Sequence, residues 1–293
     1  MDKKTCIITG ANAGIGRQAA IQVAGEGYHV ILACRNRERG QQTLDEIKEL
    51  DSNSSVELQI VDLGLRDSIL KFVKSFKSKN KRLDVLIHNA AIFNVTQKQR
   101  EENIEGIETV WAANHLGPVY MTELLLDMLE QSENGRILTI TSKGLLAKPF
   151  LKVDLHDPEF KEKKFSIVNA YYQSKIAQLM YTYWLAERLK NTKITVNSIR
   201  VTAVKIDLAR HPELSSFMKW VYSVKAKKSI TPETMARTYT HFAVSNSVAN
   251  ISGKYFDEHN QEVDSNTYSK DKDKIYSLME LTSDYVPEIK KAL

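Results

Sequence analysis

The stretch Thr-Gly-Ala-Asn-Ala-Gly-Ile-Gly, residues 9–16, lies between the short apolar run TCIIT at 5–9 and the start of a helical pattern. Its three glycines are Gly10, Gly14 and Gly16. Small residues at a strand-to-helix turn let the backbone approach a phosphate at the helix N-terminus, where unpaired N–H groups and the helix dipole favour an anion. Glycines also serve ordinary tight turns, so the placement between strand and helix carries the weight. The spacing differs from the usual G-x-G-x-x-G fingerprint of dinucleotide-binding folds.

Working outward, apolar runs alternate with longer helical patterns: HVILA at 29–33, VELQIVD at 56–62, LDVLIH at 83–88, GRILTIT at 135–141, ITVNSIRV at 194–201 and SGKYF at 252–256. Continuous rather than alternating hydrophobicity predicts strands covered on both faces, and repeated crossover helices require a parallel sheet. The expected fold is α/β: one Rossmann-type, doubly wound domain over residues 1–293. After Val263 the chain turns polar, and this tail over residues 264–293 carries a short helical pattern around Lys274–Leu281.

The formal charge of +5 arises from well-mixed acidic and basic residues. No dense basic stripe is present, which argues against a nucleic-acid partner. Cys6 and Cys34 fall in apolar strands and read as buried, reduced thiols. No apolar run approaches the roughly 20 residues of a membrane span, and Met1 lies close to the first strand, so the expected compartment is the cytoplasm. No metal-ligand spacing stands out.

The glycine loop resembles the TG-x-x-x-G-x-G motif of the short-chain dehydrogenases/reductases. The resemblance implies a nicotinamide dinucleotide held by Gly10, Asn12, Gly14, Ile15 and Gly16. At the end of the second strand, Ala33-Cys34-Arg35-Asn36 offers no acidic residue to ribose hydroxyls. Arg35 can instead form charge-assisted hydrogen bonds with a 2′-phosphate, which favours NADP(H) over NAD(H); an arginine just past a strand is also an ordinary surface residue. Arg17 either assists or faces solvent. The third strand ends at Asp62, similar to the family's adenine-contacting aspartate. His88-Asn89-Ala90-Ala91 resembles its N-N-A-G, with Asn89 matching and His88 and Ala91 departing.

In NAYYQSK, residues 169–175, Tyr171 and Tyr172 both precede Lys175, and residues three and four apart share a helix face. Helix geometry leaves both open. The family's Y-x-x-x-K motif selects Tyr171, and with Asn114 in AANHLGP and Ser142 ending RILTITS the family's catalytic order is complete. The resemblance implies Tyr171 as acid/base, Ser142 as partner of the carbonyl oxygen, Lys175 as ribose ligand and Asn114 as anchor of a proton relay. An ammonium ~4 Å from a phenol contributes about 4 kcal/mol at an effective dielectric of ~20, enough to bring its pKa down toward neutrality.

Where the family carries Pro-Gly and a carboxamide-binding Thr after the sixth strand, this chain has Val201-Thr202 and Ile206, leaving backbone near Val204 for that contact. This departure keeps a catalytically weak cofactor-binding scaffold as an alternative, beside an NAD-dependent hydroxysteroid or other secondary-alcohol dehydrogenase. The insert KVDLHDPEFKEKKFS resembles retinol dehydrogenases and related NADP-dependent carbonyl reductases. A lid over residues 207–228, with Phe217, Met218, Trp220, Val221 and Val224, suits a lipophilic aldehyde or ketone and its alcohol. The helices carrying Asn114 and Tyr171 resemble a pair through which family members form homodimers.

Overall fold

Cys6, Ile7 and Ile8 set the architecture. In the first strand, β1 (Thr5–Thr9), successive side chains point to opposite faces, and all are buried. Ile7 joins a core with Ile31, Leu86, Ile137 and Val196, whereas Cys6 and Ile8 join another with Val30, Leu32, Val85, Ile87 and Leu138. A sheet apolar on both faces needs helices on both.

The computed structural model describes residues 3–205, 223, 226, 227 and 229–293. Its seven strands are β1, β2 (His29–Cys34), β3 (Ser55–Ile60), β4 (Val85–His88), β5 (Gly135–Ser142), β6 (Ile194–Val201) and β7 (Lys254–Phe256). All pairings are parallel, in the order β3-β2-β1-β4-β5-β6-β7. The direction of winding reverses between β1 and β4, and such a switch point leaves a crevice at the C-terminal strand ends.

One helical layer comprises α1 (Gly14–Gly25), α2 (Arg37–Leu50) and α7 (Pro232–Val244), whose Ala19, Ala20, Val23, Ile47, Met235 and Phe242 fill the second core. The other comprises α3 (Arg66–Lys79), α4 (Thr109–Trp111), a π-turn at Ala112–Leu116, α5 (Gly117–Glu130) and α6 (Ile167–Arg188). From Gln173 to Thr182 every residue of α6 is buried, as expected for a helix covered on all sides.

The C-terminal region departs from the polar tail expected. After α8 (Thr267–Lys270), α9 runs over Lys272–Tyr285, longer at both ends than its sequence pattern. Ile275, Leu278 and Met279, with Val286 and Ile289 beyond, pack in the same core as Leu125 and Leu129 of α5, Leu185 of α6 and Leu189 at its end. Charges between these apolar positions mask a stripe that only the three-dimensional spacing reveals. The helix pair assigned to a second copy is therefore covered by the chain's own C-terminus.

The edge of β7 is closed too: Val263 donates its N–H to Tyr255 O at 2.8 Å, and Phe256 bridges Glu262 antiparallel. Both cysteines are buried and free. Among the described residues no helix is long and apolar enough to cross a membrane, and no His/Cys/Asp/Glu group is arranged for a metal. Ile206 lies outside the described residues, as does nearly all of the lid expected over 207–228.

Candidate active site

The glycine loop is fastened from beneath by Asn89, whose Nδ2 donates to Thr9 O at 2.9 Å and Gly10 O at 3.3 Å. Thr9 Oγ1 in turn accepts from Ala90 N at 3.0 Å, clipping the ends of β1 and β4 together. Gly16 has to be glycine: a Cβ there would stand 2.3 Å from Asn89 Nδ2 and 2.5 Å from Gly10 O. Gly10 takes φ +65°, a backbone region that penalises side chains. Ala13 caps α1 without any side-chain hydrogen bond, so the first N–H groups of the helix are left for a phosphate.

A cleft of about 1360 Å³ extends from this loop in two directions. Asn12, Gly14 and Ile15 line its centre, Arg35 and Arg39 one end, and Ser142, Tyr171 and Val204 the other. Arg35 is exposed and approaches Asp62 at 3.8 Å, a loose pair of little energetic value. Asp62 lies two residues past the end of β3 rather than within it, and its Oδ1 accepts from Gly64 N at 2.9 Å. Arg17 does not face solvent alone: it makes a two-pronged ion pair with Glu46, at 2.6 and 2.5 Å. Arg39 escaped the sequence reading, although its place four residues beyond Arg35 in the first turn of α2 was an available signal.

Ser142 ends β5, with its hydroxyl accepting from Gly144 N at 3.1 Å. Tyr171, in the first turns of α6, lines the cleft together with Ser142 and stacks on Phe93 with ring centres 4.3 Å apart. Tyr172 instead covers Gly144, where an added Cβ would stand 2.2 Å from its hydroxyl. Only Tyr171 of the pair lines the cleft. The insert that brings α6 into place is tied down by Gln173, which accepts from Asp154 N and donates to Pro158 O, and by the buried Glu159, which accepts from Glu108 N and from Tyr285 Oη.

Asn114 sits in the π-turn. Pro118 has no N–H for the carbonyl four residues earlier, and the helix widens there. The Asn114 side chain clamps the loop after β4, accepting from Ile92 N at 2.7 Å and donating to Ile92 O at 3.0 Å, and it also donates to Ser174 Oγ at 3.2 Å. Lys175 is fully buried and donates to Ile140 O at 2.7 Å and Gln178 Oε1 at 3.0 Å.

The electrostatics differ from expectation. Burial pushes the Tyr171 phenol up to about 12, with Tyr172 adding to it and the nearby Ser142 hydroxyl opposing it. Burial pulls Lys175 down to about 7. Lys175 therefore does not lower the phenol here: its hydrogen bonds are spent on Ile140 and Gln178, and its own charge is disfavoured. His88 is pushed to about 3, by burial and then by the Lys175 charge, and remains neutral.

Val204 forms an isolated bridge with Ile230, leaving its segment beside the cleft, which Thr202 also lines. A glycine loop at the switch point of a doubly wound sheet, with Ser142 and Tyr171 paired at its far end, defines a Rossmann-type oxidoreductase for a nicotinamide cofactor. The residues fit such a dinucleotide, since the uncapped end of α1 and Gly14, which lines the cleft without a side chain, leave its phosphates room.

The chain belongs to the short chain dehydrogenase family, whose sequence profile matches residues 4–151. It is 34% identical over 259 residues to mouse retinol dehydrogenase 13, covering 87% of this chain and 75% of that one. It is also 34% identical over 255 residues to human retinol dehydrogenase 11, covering 87% and 77%. Among solved structures, an uncharacterized protein from Mycobacterium Paratuberculosis superposes with TM-score 0.74 at 24% identity, covering 97% of this chain and 93% of the other. A short chain dehydrogenase from Shigella flexneri, solved with NADP, superposes with TM-score 0.66 at 22% identity, covering 88% and 98%. These two likenesses bear on the fold.

Proposed function

We propose that the protein interconverts a lipophilic carbonyl compound and its alcohol with NADP(H), acting in the cytoplasm. The observation that carries this reading is a single cleft with the Ser142–Tyr171 pair at one end and Arg35 and Arg39 at the other. Two guanidinium groups suit a 2′-phosphate, where an NAD enzyme would present a carboxylate. Phe93, 39% exposed at the cleft, and Ile92 and Val95 beside it give the carbonyl end an apolar wall.

NADPH supplies the hydride when bound. Tyr171, protonated throughout the physiological range, gives its proton to the carbonyl oxygen, and Ser142 donates a hydrogen bond to the same atom. In the reverse direction the phenol has to lose its proton, which positive charge near it favours. With the cofactor bound, Lys175 would turn from Ile140 toward the ribose, and Asn114 fixes the Ile92–Phe93 wall against α6 and anchors the relay that returns a proton to Lys175.

Single-turnover oxidation of NADPH with hydrophobic aldehydes and ketones, set beside short polar ones, tests this. Faster turnover with the hydrophobic members supports the reading. Tight NADPH binding with no turnover of any carbonyl would overturn it in favour of a cofactor-binding scaffold.

A further inference from the structure

Lys175 belongs to a seam of buried polar side chains between the sheet and the helices α5 and α6, together with His88, Thr122, Thr139, Gln178 and Thr182. An ammonium carries three donors and no acceptor. Two of these find partners in Ile140 O and Gln178 Oε1. Burial accounts for the ease with which Lys175 loses its proton, and among the described residues no carboxylate opposes it. Of the two neutral acceptors, one is backbone and the other is a side chain three residues on along the same helix face.

The titratable groups around this ammonium are few. His88 faces it from β4. Thr122 Oγ1 donates to Pro118 O, so at 2.7 Å it accepts from His88 Nε2–H, and the imidazole carries no charge. Tyr171 lies one turn back on α6 and interacts electrostatically with the buried Tyr239 of α7. Among the described residues, then, the strength of the Gln178 contact is free to set the charge of Lys175.

Gln178 Nε2 is buried without a hydrogen-bond partner among the described residues. The ammonium is thus what fixes the carboxamide with its oxygen inward, and the same group turned over would offer N–H to the lone pair of a neutral amine.

We propose that Gln178 is a positioning residue for Lys175, holding its nitrogen against the Ile140 carbonyl in both protonation states and setting how readily the proton leaves. Its catalytic consequence rests on the oxidoreductase reading above; the effect on Lys175 itself does not.

The test follows the ¹⁵Nζ resonance of Lys175, assigned by its absence in Lys175→Met, as pH is varied in the cofactor-free protein, alongside the pH profile of single-turnover NADPH oxidation. Gln178→Glu, nearly isosteric, places an opposite charge beside the ammonium and should move the Lys175 midpoint up by roughly 1–3 pH units. Gln178→Met, of similar volume, removes the acceptor and should move it down. The profile limb governed by Lys175 should shift with each, in opposite directions, with kcat affected more than the KM for the carbonyl. A midpoint unchanged in both variants overturns the assignment. If the unmodified protein binds NADPH but turns over no carbonyl, the oxidoreductase reading falls while the resonance still decides the role of Gln178.

Discussion

The ammonium nitrogen of Lys175 lies 5.7 Å from the centre of the Tyr171 ring, yet its hydrogen bonds run to Ile140 and Gln178. The two side chains are neighbours without being hydrogen-bond partners. Tyr171 is therefore a strong proton holder, suited to giving a proton during reduction, and becomes a base only when positive charge is added near its oxygen.

Replacing the acid is the sharpest way to separate the tyrosines. Tyr171→Phe should lower single-turnover reduction by about 10²–10⁴-fold, the usual worth of a positioned acid. Tyr172→Phe should leave the rate within a few fold, because that ring covers Gly144 and is not needed for proton transfer. Equal losses in the two variants would assign the chemistry wrongly.

At the other end of the cleft, Arg35 and Arg39 are both exposed. A hydrogen bond to a charged group contributes about 1.5–3 kcal/mol, so Arg35→Ala should weaken NADPH about 10–100-fold by fluorescence titration and leave NADH nearly unchanged. Arg39→Ala should act in the same direction. Arg35→Asp should go further, because it adds repulsion toward the 2′-phosphate. Unaltered NADPH affinity in all three would remove the arginines from the cofactor site.

The strands and the glycine loop were legible in the sequence because each carries a local signal: buried parallel strands are continuously apolar, and close phosphate approach demands small residues. Gly16 shows this well, since the reason for glycine, the Asn89 amide beneath it, is itself part of a recognisable strand end. What the chain does after β7 was not legible. Ile275, Leu278, Met279 and Thr282 make a buried stripe only once α5 and α6 are there to receive it, and the charges between them read as a solvated tail. Gln178 was missed for a related reason: no motif marks it, and only the burial of Lys175 gives it a task.

The buried bases predict how stability follows pH. His88 and His115 are both pushed to about 3 by burial from an ordinary 6.5, so the unfolded chain takes up protons as pH falls through 6.5 while the folded chain does not. Stability is accordingly lost between about pH 6.5 and 3. Lys175, at about 7 folded against 10.5 unfolded, works in a second window: the unfolded chain holds its proton longer, and stability grows as pH rises from 7 toward 10.5. Urea midpoints measured from pH 5 to pH 9 should rise, and Lys175→Met should flatten the upper part of that rise while leaving the acid side intact. An equally steep rise above pH 7 in Lys175→Met would mean that another group dominates there.

The packing of α9 on α6, and of the final turn over Pro287–Ala292 on α5, predicts the oligomeric state. His115, next to Asn114 in the π-turn, meets Thr282 Oγ1 at 2.9 Å, and Thr282 donates its own proton to Leu278 O, so the threonine accepts from the histidine. Arg66 reaches Tyr285 O at 2.8 Å and Glu288 at 3.0 Å, fastening the far end of the same helix. These contacts lie on the helix pair expected to meet a second copy, and the β7 edge is already paired with the return segment. In sedimentation equilibrium the protein should behave as a monomer of 33.3 kDa. Leu278→Ala, at a fully buried position, should cost about 2–5 kcal/mol and loosen α9. Thr282→Val should cost about 1–3 kcal/mol by leaving His115 Nε2–H unpaired, while the fold survives. A stable dimer of the unmodified chain, or a dimer dissociated by neither substitution, would show that self-association uses a surface other than this covered face.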